Sequence, residues 1–155
     1  MNQLPEGADP ITLPDDQVRS LRAVSGLMIP ASSEYQLPGA DDDVIFGDIL
    51  RSIGRDAAAV RDALLALDQY GGALFADLPL QMRAAVADRF RRDRPALAGA
   101  LVTLVAACYY RDDRVMRSIH MEPRPPFPKG FAVEEGDWSL LEPVLARGRI
   151  YRVVP

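Results

Sequence analysis

The chain has 155 residues, enough for one domain with a sizeable core, and its 48% hydrophobic and 26% charged residues are the balance of a soluble globular protein. A net charge of −4 argues against a general nucleic-acid binder or a basic membrane-surface protein. One cysteine, Cys108, and one histidine, His120, exclude from this sequence an internal disulfide, CxxCH haem attachment, an iron–sulfur cluster, HExxH and any metal centre rich in either residue.

The opening MNQLPEGADPITLPDD has no basic region, no apolar run and no twin arginine, so no export signal and a cytoplasmic location are expected. Helical periodicity then begins near Thr12 or Pro14 and runs to about Met28. Thr12 and Asp15 have capping-box spacing, and Pro14 suits the first turn. Val18, Leu21, Val24 and Met28 form the inward stripe, and Pro30 ends the helix. After the loop PASSEYQLPGA, Asp41, Asp42 and Asp43 open a second helix at its positive dipole end, with Ile45, Ile49 and Ile53 inward. The triplet lacks the alternation, glycine and closing glutamate of an EF-hand.

A third helix is expected over Arg55 to Tyr70, buried through Val60, Ala63, Leu64 and Leu67 and closed by Gly71 and Gly72. A fourth, Pro79 to about Arg92, should turn Met82, Ala85, Val86 and Phe90 inward. The fifth, Pro95 to Tyr110, is apolar on every side, which predicts enclosure by other helices or by a partner chain, with Gly99 and Ala100 permitting a close crossing. It falls short of the roughly eighteen apolar residues of a membrane span. A short sixth helix over Asp112 to Ile119 would pack through Val115, Met116 and Ile119. These elements predict an all-α, single-domain bundle of five to six helices with its core over 12–119. From 120 to 155 the prolines at 123, 125, 126 and 128 predict an extended tail.

The chain carries no GxGxxG, no phosphate loop ending in lysine and no GxSxG elbow, so no cofactor, metal or catalytic residue is assigned to it. His120 with Asp112, Asp113 or Glu122 is the one acid–base pairing on offer, and a histidine ending a helix is more simply a cap. Cys108 reads as a small buried hydrophobe.

Three stretches, in this order, carry a resemblance: LRAVSGLMIPA, the run from Ala106 to Val115 with its tyrosines and D-x-R-V step, and GDWSLLEPVLARGRIYR after the prolines. Together they resemble the gluconate 2-dehydrogenase subunit 3 family, the small gamma chain of bacterial flavin-dependent dehydrogenases. That resemblance implies a non-catalytic accessory subunit beside a large chain of the glucose–methanol–choline type, which holds FAD and oxidises an alcohol or sugar hydroxyl. In some such complexes a cytochrome c subunit takes the electrons onward. The twin-arginine signal frequent in the family has no counterpart in this N-terminus.

The tail is the expected docking element. Phe127, Phe131, Trp138 and Tyr151 are its apolar anchors, with Trp138 central, and Arg147, Arg149 and Arg152 stand at the rim. Two other readings compete with the accessory subunit: a small enzyme built on His120, and a self-associating helical protein.

Overall fold

The computed structural model describes residues 13–124, 130 and 135–148. By contacts the chain divides into two units, Met1–Pro123 and Arg124–Pro155. Seven α-helices and three short 3-10 turns are present among the described residues, with no strand beyond an isolated bridge between Ser32 and Leu37. The all-α expectation holds, with one helix more than foreseen.

In the first unit, α1 spans Asp15–Met28. Pro14 is its N-cap and no side chain caps it, so Asp15 and Asp16 meet the positive end of the helix through charge rather than through a capping box. Thr12, the other half of that predicted box, lies outside the described residues. Leu21 and Val24 are buried as expected, and the buried Ser25 satisfies its hydroxyl by donating to Leu21 O at 2.8 Å. Beyond Pro30 the loop folds back on the end of α1, with Ala40 N donating to Ile29 O.

Helix α2, Asp43–Ser52, begins where the acidic triplet predicts. Asp42 is its N-cap and accepts from Val44 N and Ile45 N at 3.1 and 3.4 Å. A 3-10 turn over Gly54–Asp56 leads into α3, Ala57–Gly71. Val60, Ala63, Leu64 and Leu67 are fully buried, which makes α3 the centre of the core. Gly72 takes φ +68° and closes the helix in left-handed geometry. The 3-10 turn Phe75–Asp77 then packs against α1.

Helix α4, Leu80–Asp93, is shifted about its axis from the predicted face. Val86 and Phe90 are buried, but Met82 and Ala85 face solvent. The inward stripe is Arg83, Val86, Ala87 and Phe90, and the arginine contributes its stem while Nε donates to Leu78 O at 2.7 Å.

Helix α5, Pro95–Tyr109, packs on α2, α3 and α4 through Ala98, Leu101, Leu104, Val105 and Cys108. The other helices do not enclose it. Val102 is 50% exposed, Gly99 and Thr103 also face outward, and a Cβ at Gly99 would meet nothing within 4 Å, so no close crossing occurs there. Helix α6, Asp113–Ser118, buries Val115 but leaves Ile119 exposed, against expectation, because the chain turns left-handed at His120.

In the second unit the predicted extended tail gives way to a wound segment over Trp138–Ala146. A 3-10 turn, Trp138–Leu141, runs straight into α7, Glu142–Ala146. Asp137 caps it by accepting from Ser139 N and Oγ, and Pro143 sits in the first turn of α7, where its missing N–H costs nothing. Three of the four prolines that predicted extension, at 125, 126 and 128, lie outside the described residues.

Candidate functional site

Of the predicted docking residues, Trp138 and Arg147 are described; Phe127, Phe131, Arg149, Tyr151 and Arg152 lie outside the described residues. Trp138 is 73% exposed, and Arg147 follows the last turn of α7. The short run around Trp138 adds Leu140, Leu141, Val144 and Leu145, every one of them exposed and Leu145 at 76%. Winding the segment into consecutive turns crowds these side chains into one short apolar stretch. Apolar side chains exposed in such close succession are candidates for a docking surface, whereas single exposed leucines are ordinary. Sequence reasoning picked out Trp138 and missed its leucine and valine companions, which needed helical rather than extended geometry to be grouped.

The acid–base pairing around His120 is not assembled. Asp112 and Asp113 turn to arginines instead: Arg114 Nε and Nη2 donate to Asp112, and Arg117 Nη2 donates to Asp113 at 3.0 Å. His120 is exposed with φ +61°, and what closes α6 is backbone: His120 N donates to Arg117 O and Met121 N to Met116 O. This is the paired closure of a Schellman end, with histidine where glycine is usual. The imidazole therefore does not provide the cap that its position suggested.

Arginine–aspartate pairs tie the ends of the helices together. Arg114 also donates to Asp42 at 2.7 Å, which joins the start of α6 to the cap of α2. The Arg114 guanidinium holds the carboxyls of both Asp42 and Asp112 below the ordinary carboxylate range. Arg111 clamps Asp48 of α2 through Nε and Nη2 at 2.9 and 2.6 Å and reaches Ser52 Oγ, with Cys108 Sγ 3.5 Å from the same Nη2. Cys108 is only 2% exposed, a packed thiol under that clamp. Beside it Tyr109 donates to Pro38 O at 3.3 Å, and burial pushes its hydroxyl pKa up, whereas Tyr110 faces solvent.

Two concave surfaces flank the α1–α4 pair. An apolar groove of about 280 Å³ runs between α1, α4 and α5, with Met28, Phe90, Leu101 and Val102 among its walls. On the other side an open cleft of about 780 Å³ is walled by Ala23, Pro30, Ala76 and Leu80, with Arg19, Arg22 and Arg83 around it. Leu27 and Ala84 belong to both. Neither was foreseen, because the residues come from separate stretches and each arginine alone reads as a solvated charge.

No family model, curated protein or solved structure matches this chain.

Among the described residues no helix is long and apolar enough to cross a membrane, and no three His, Cys, Asp or Glu side chains stand together as a metal site would require.

Proposed function

We propose that this chain is a non-catalytic accessory subunit of a bacterial FAD-dependent alcohol or sugar dehydrogenase complex in the cytoplasm. Residues 12–119 supply a helical core, and 120–155 dock on the large flavoprotein chain, which holds the FAD. The observation that carries the reading is the run of exposed apolar side chains from Trp138 to Leu145. Burying one such side chain is worth about 1.5–3 kcal/mol, so covering several supplies a binding force that solvent exposure leaves unused. The resemblance of the three sequence stretches to the gluconate 2-dehydrogenase subunit 3 family identifies the partner class in this reading.

Co-expression with a flavoprotein of the glucose–methanol–choline type, followed by pull-down, tests it. The full-length chain should retain the large subunit, Trp138→Ala should weaken the complex by more than about 1 kcal/mol, and Leu145→Asp should weaken it further. Both positions are exposed, so neither change disturbs a packed core. Retention at unchanged affinity by both variants would sink the docking assignment. The self-associating alternative draws on the exposed, uncharged side of α5, where Val102 and Tyr110 stand half in solvent. A chain that forms a stable homo-oligomer and ignores the flavoprotein would replace the first reading with that one.

A further inference from the structure

We infer that the cleft and groove flanking the α1–α4 pair form one binding site for a small amphiphilic anion, an oxyanion head on an aliphatic body. The site lies wholly in the first unit and goes beyond the partner-docking reading.

The head has a defined place. Arg83 forms no ion pair among the described residues, although ten such pairs engage other arginines of the chain. Its Nε is fixed by Leu78 O at 2.7 Å, which holds the guanidinium on the cleft and leaves the two Nη groups for a ligand. A planar fork held in this way matches the two oxygens of a carboxylate or phosphate. Arg19 and Arg22 stand on the opposite side on α1, paired with the exposed Asp77 and Asp43, and Asp41 is the one acid that lines the cleft with these three arginines. Gly26 lets the Asp41 side chain lie close against α1, since a Cβ there would lie 2.8 Å from Asp41 Cγ.

The body has a path. Leu27 and Ala84 line both the cleft and the groove, and beyond them Met28, Phe90, Leu101 and Val102 offer hydrocarbon. Asp88 and Arg91 are the charged residues on that groove, and they pair with each other at 3.0 Å. Mostly apolar walls with a few convergent polar groups are the general make-up of a small-molecule site, and both volumes are of the order such sites have. Charge at one end and hydrocarbon at the other select an amphiphile over a simple anion or a neutral lipid.

The experiment titrates the full chain with decanoate, kept below its micelle concentration, and follows amide shifts by NMR. Decanol, acetate and decyltrimethylammonium serve as comparison probes. Decanoate should shift the Leu27 and Ala84 amides in a saturable way, and 0.5 M salt, roughly a 4 Å screening length, should weaken it. Arg83→Gln should weaken it about tenfold, the fold-change of one charge-assisted hydrogen bond. Val102→Glu, at a half-exposed position that leaves the core intact, should block the body and weaken it comparably. Acetate and decyltrimethylammonium should leave those amides unmoved. The proposal is overturned if decanoate moves neither amide, if decanol binds there as tightly as decanoate, or if Val102→Glu binds decanoate like the parent. Should Arg83→Gln fail to fold, the opposite-sign probe and Val102→Glu decide the matter unaided.

Discussion

His120 sits in the backbone region that only glycine enters without strain, at the turn that closes α6. Among the described residues its side chain makes no capping bond there, so no hydrogen bond of the imidazole offsets the conformational cost. His120→Gly should therefore stabilise the chain by about 0.5–1 kcal/mol, the relief of left-handed strain less the extra freedom glycine gives the unfolded chain. Urea melts would show a higher midpoint at unchanged slope. A lower midpoint would mean that the ring holds something after all. Arg114 makes the opposite case, a side chain whose contacts matter more than its backbone. It lowers the pKa of Asp42 and Asp112, so these groups bind protons less readily in the folded chain than in the unfolded one. The stability they add is complete above the unfolded carboxylate value of about 3.9 and disappears as the pH falls through the lower folded values. Arg114→Gln should cost about 1 kcal/mol near neutral pH, and the deficit should close in acid below about pH 4. Thermal melts of both chains across that range check the sign, and a deficit that persists unchanged in acid would place the loss outside these pairs.

At the scale of the element, α4 offers the sharpest contrast between pattern and outcome. Met82 is 49% exposed and Phe90 3%, although both belong to the same predicted stripe. Met82→Lys should change stability by no more than about 0.5 kcal/mol, whereas Phe90→Ala should cost about 3–5 kcal/mol by opening a cavity beside Tyr70. Paired denaturant midpoints distinguish the two. The misreading has a physical origin: an arginine occupies an inward position with its stem, so counting only apolar residues rotates the stripe towards Met82. Helices α1, α2, α3 and α5 were legible because their buried residues, Ser20 and Ser25 of α1 apart, are apolar and correctly spaced, and because Pro30, Asp42, Gly72 and Pro95 mark their ends. The half-open state of α5 was not legible. Alanine, glycine and threonine give a helix the same uncharged look whether they are covered or bare. In the tail, density of proline predicted extension, while Asp137 and the leucine-rich run after it wound the chain instead.

On the scale of the whole chain, the first unit is joined twice over. Consecutive helices α3, α4 and α5 pack on one another through hydrocarbon, and arginine–aspartate pairs then pin their edges and loops: Arg19 to Asp77, Arg22 to Asp43, Arg111 to Asp48 and Arg114 to Asp42. Exposed pairs of this sort contribute little singly, and their use lies in fixing which helix ends meet. The cleft beside α1 comes from the same arrangement, and it escaped the sequence because Arg83 and Arg22 become neighbours only after folding. The exposed apolar run of the second unit was partly legible for the opposite reason: tryptophan is conspicuous in any sequence, and its leucine neighbours are not.

Every cation in those pairs is a guanidinium, and Lys129 is the only lysine in the sequence. An amine-directed reagent therefore passes over the helix-joining pairs and finds one side chain, which lies in the second unit. A fluorophore or cross-linker placed by acylation at Lys129 leaves those four arginine–aspartate pairs chemically intact. Apart from any free α-amino group, such a label reports from the segment that carries Trp138 and from no other side chain of this sequence.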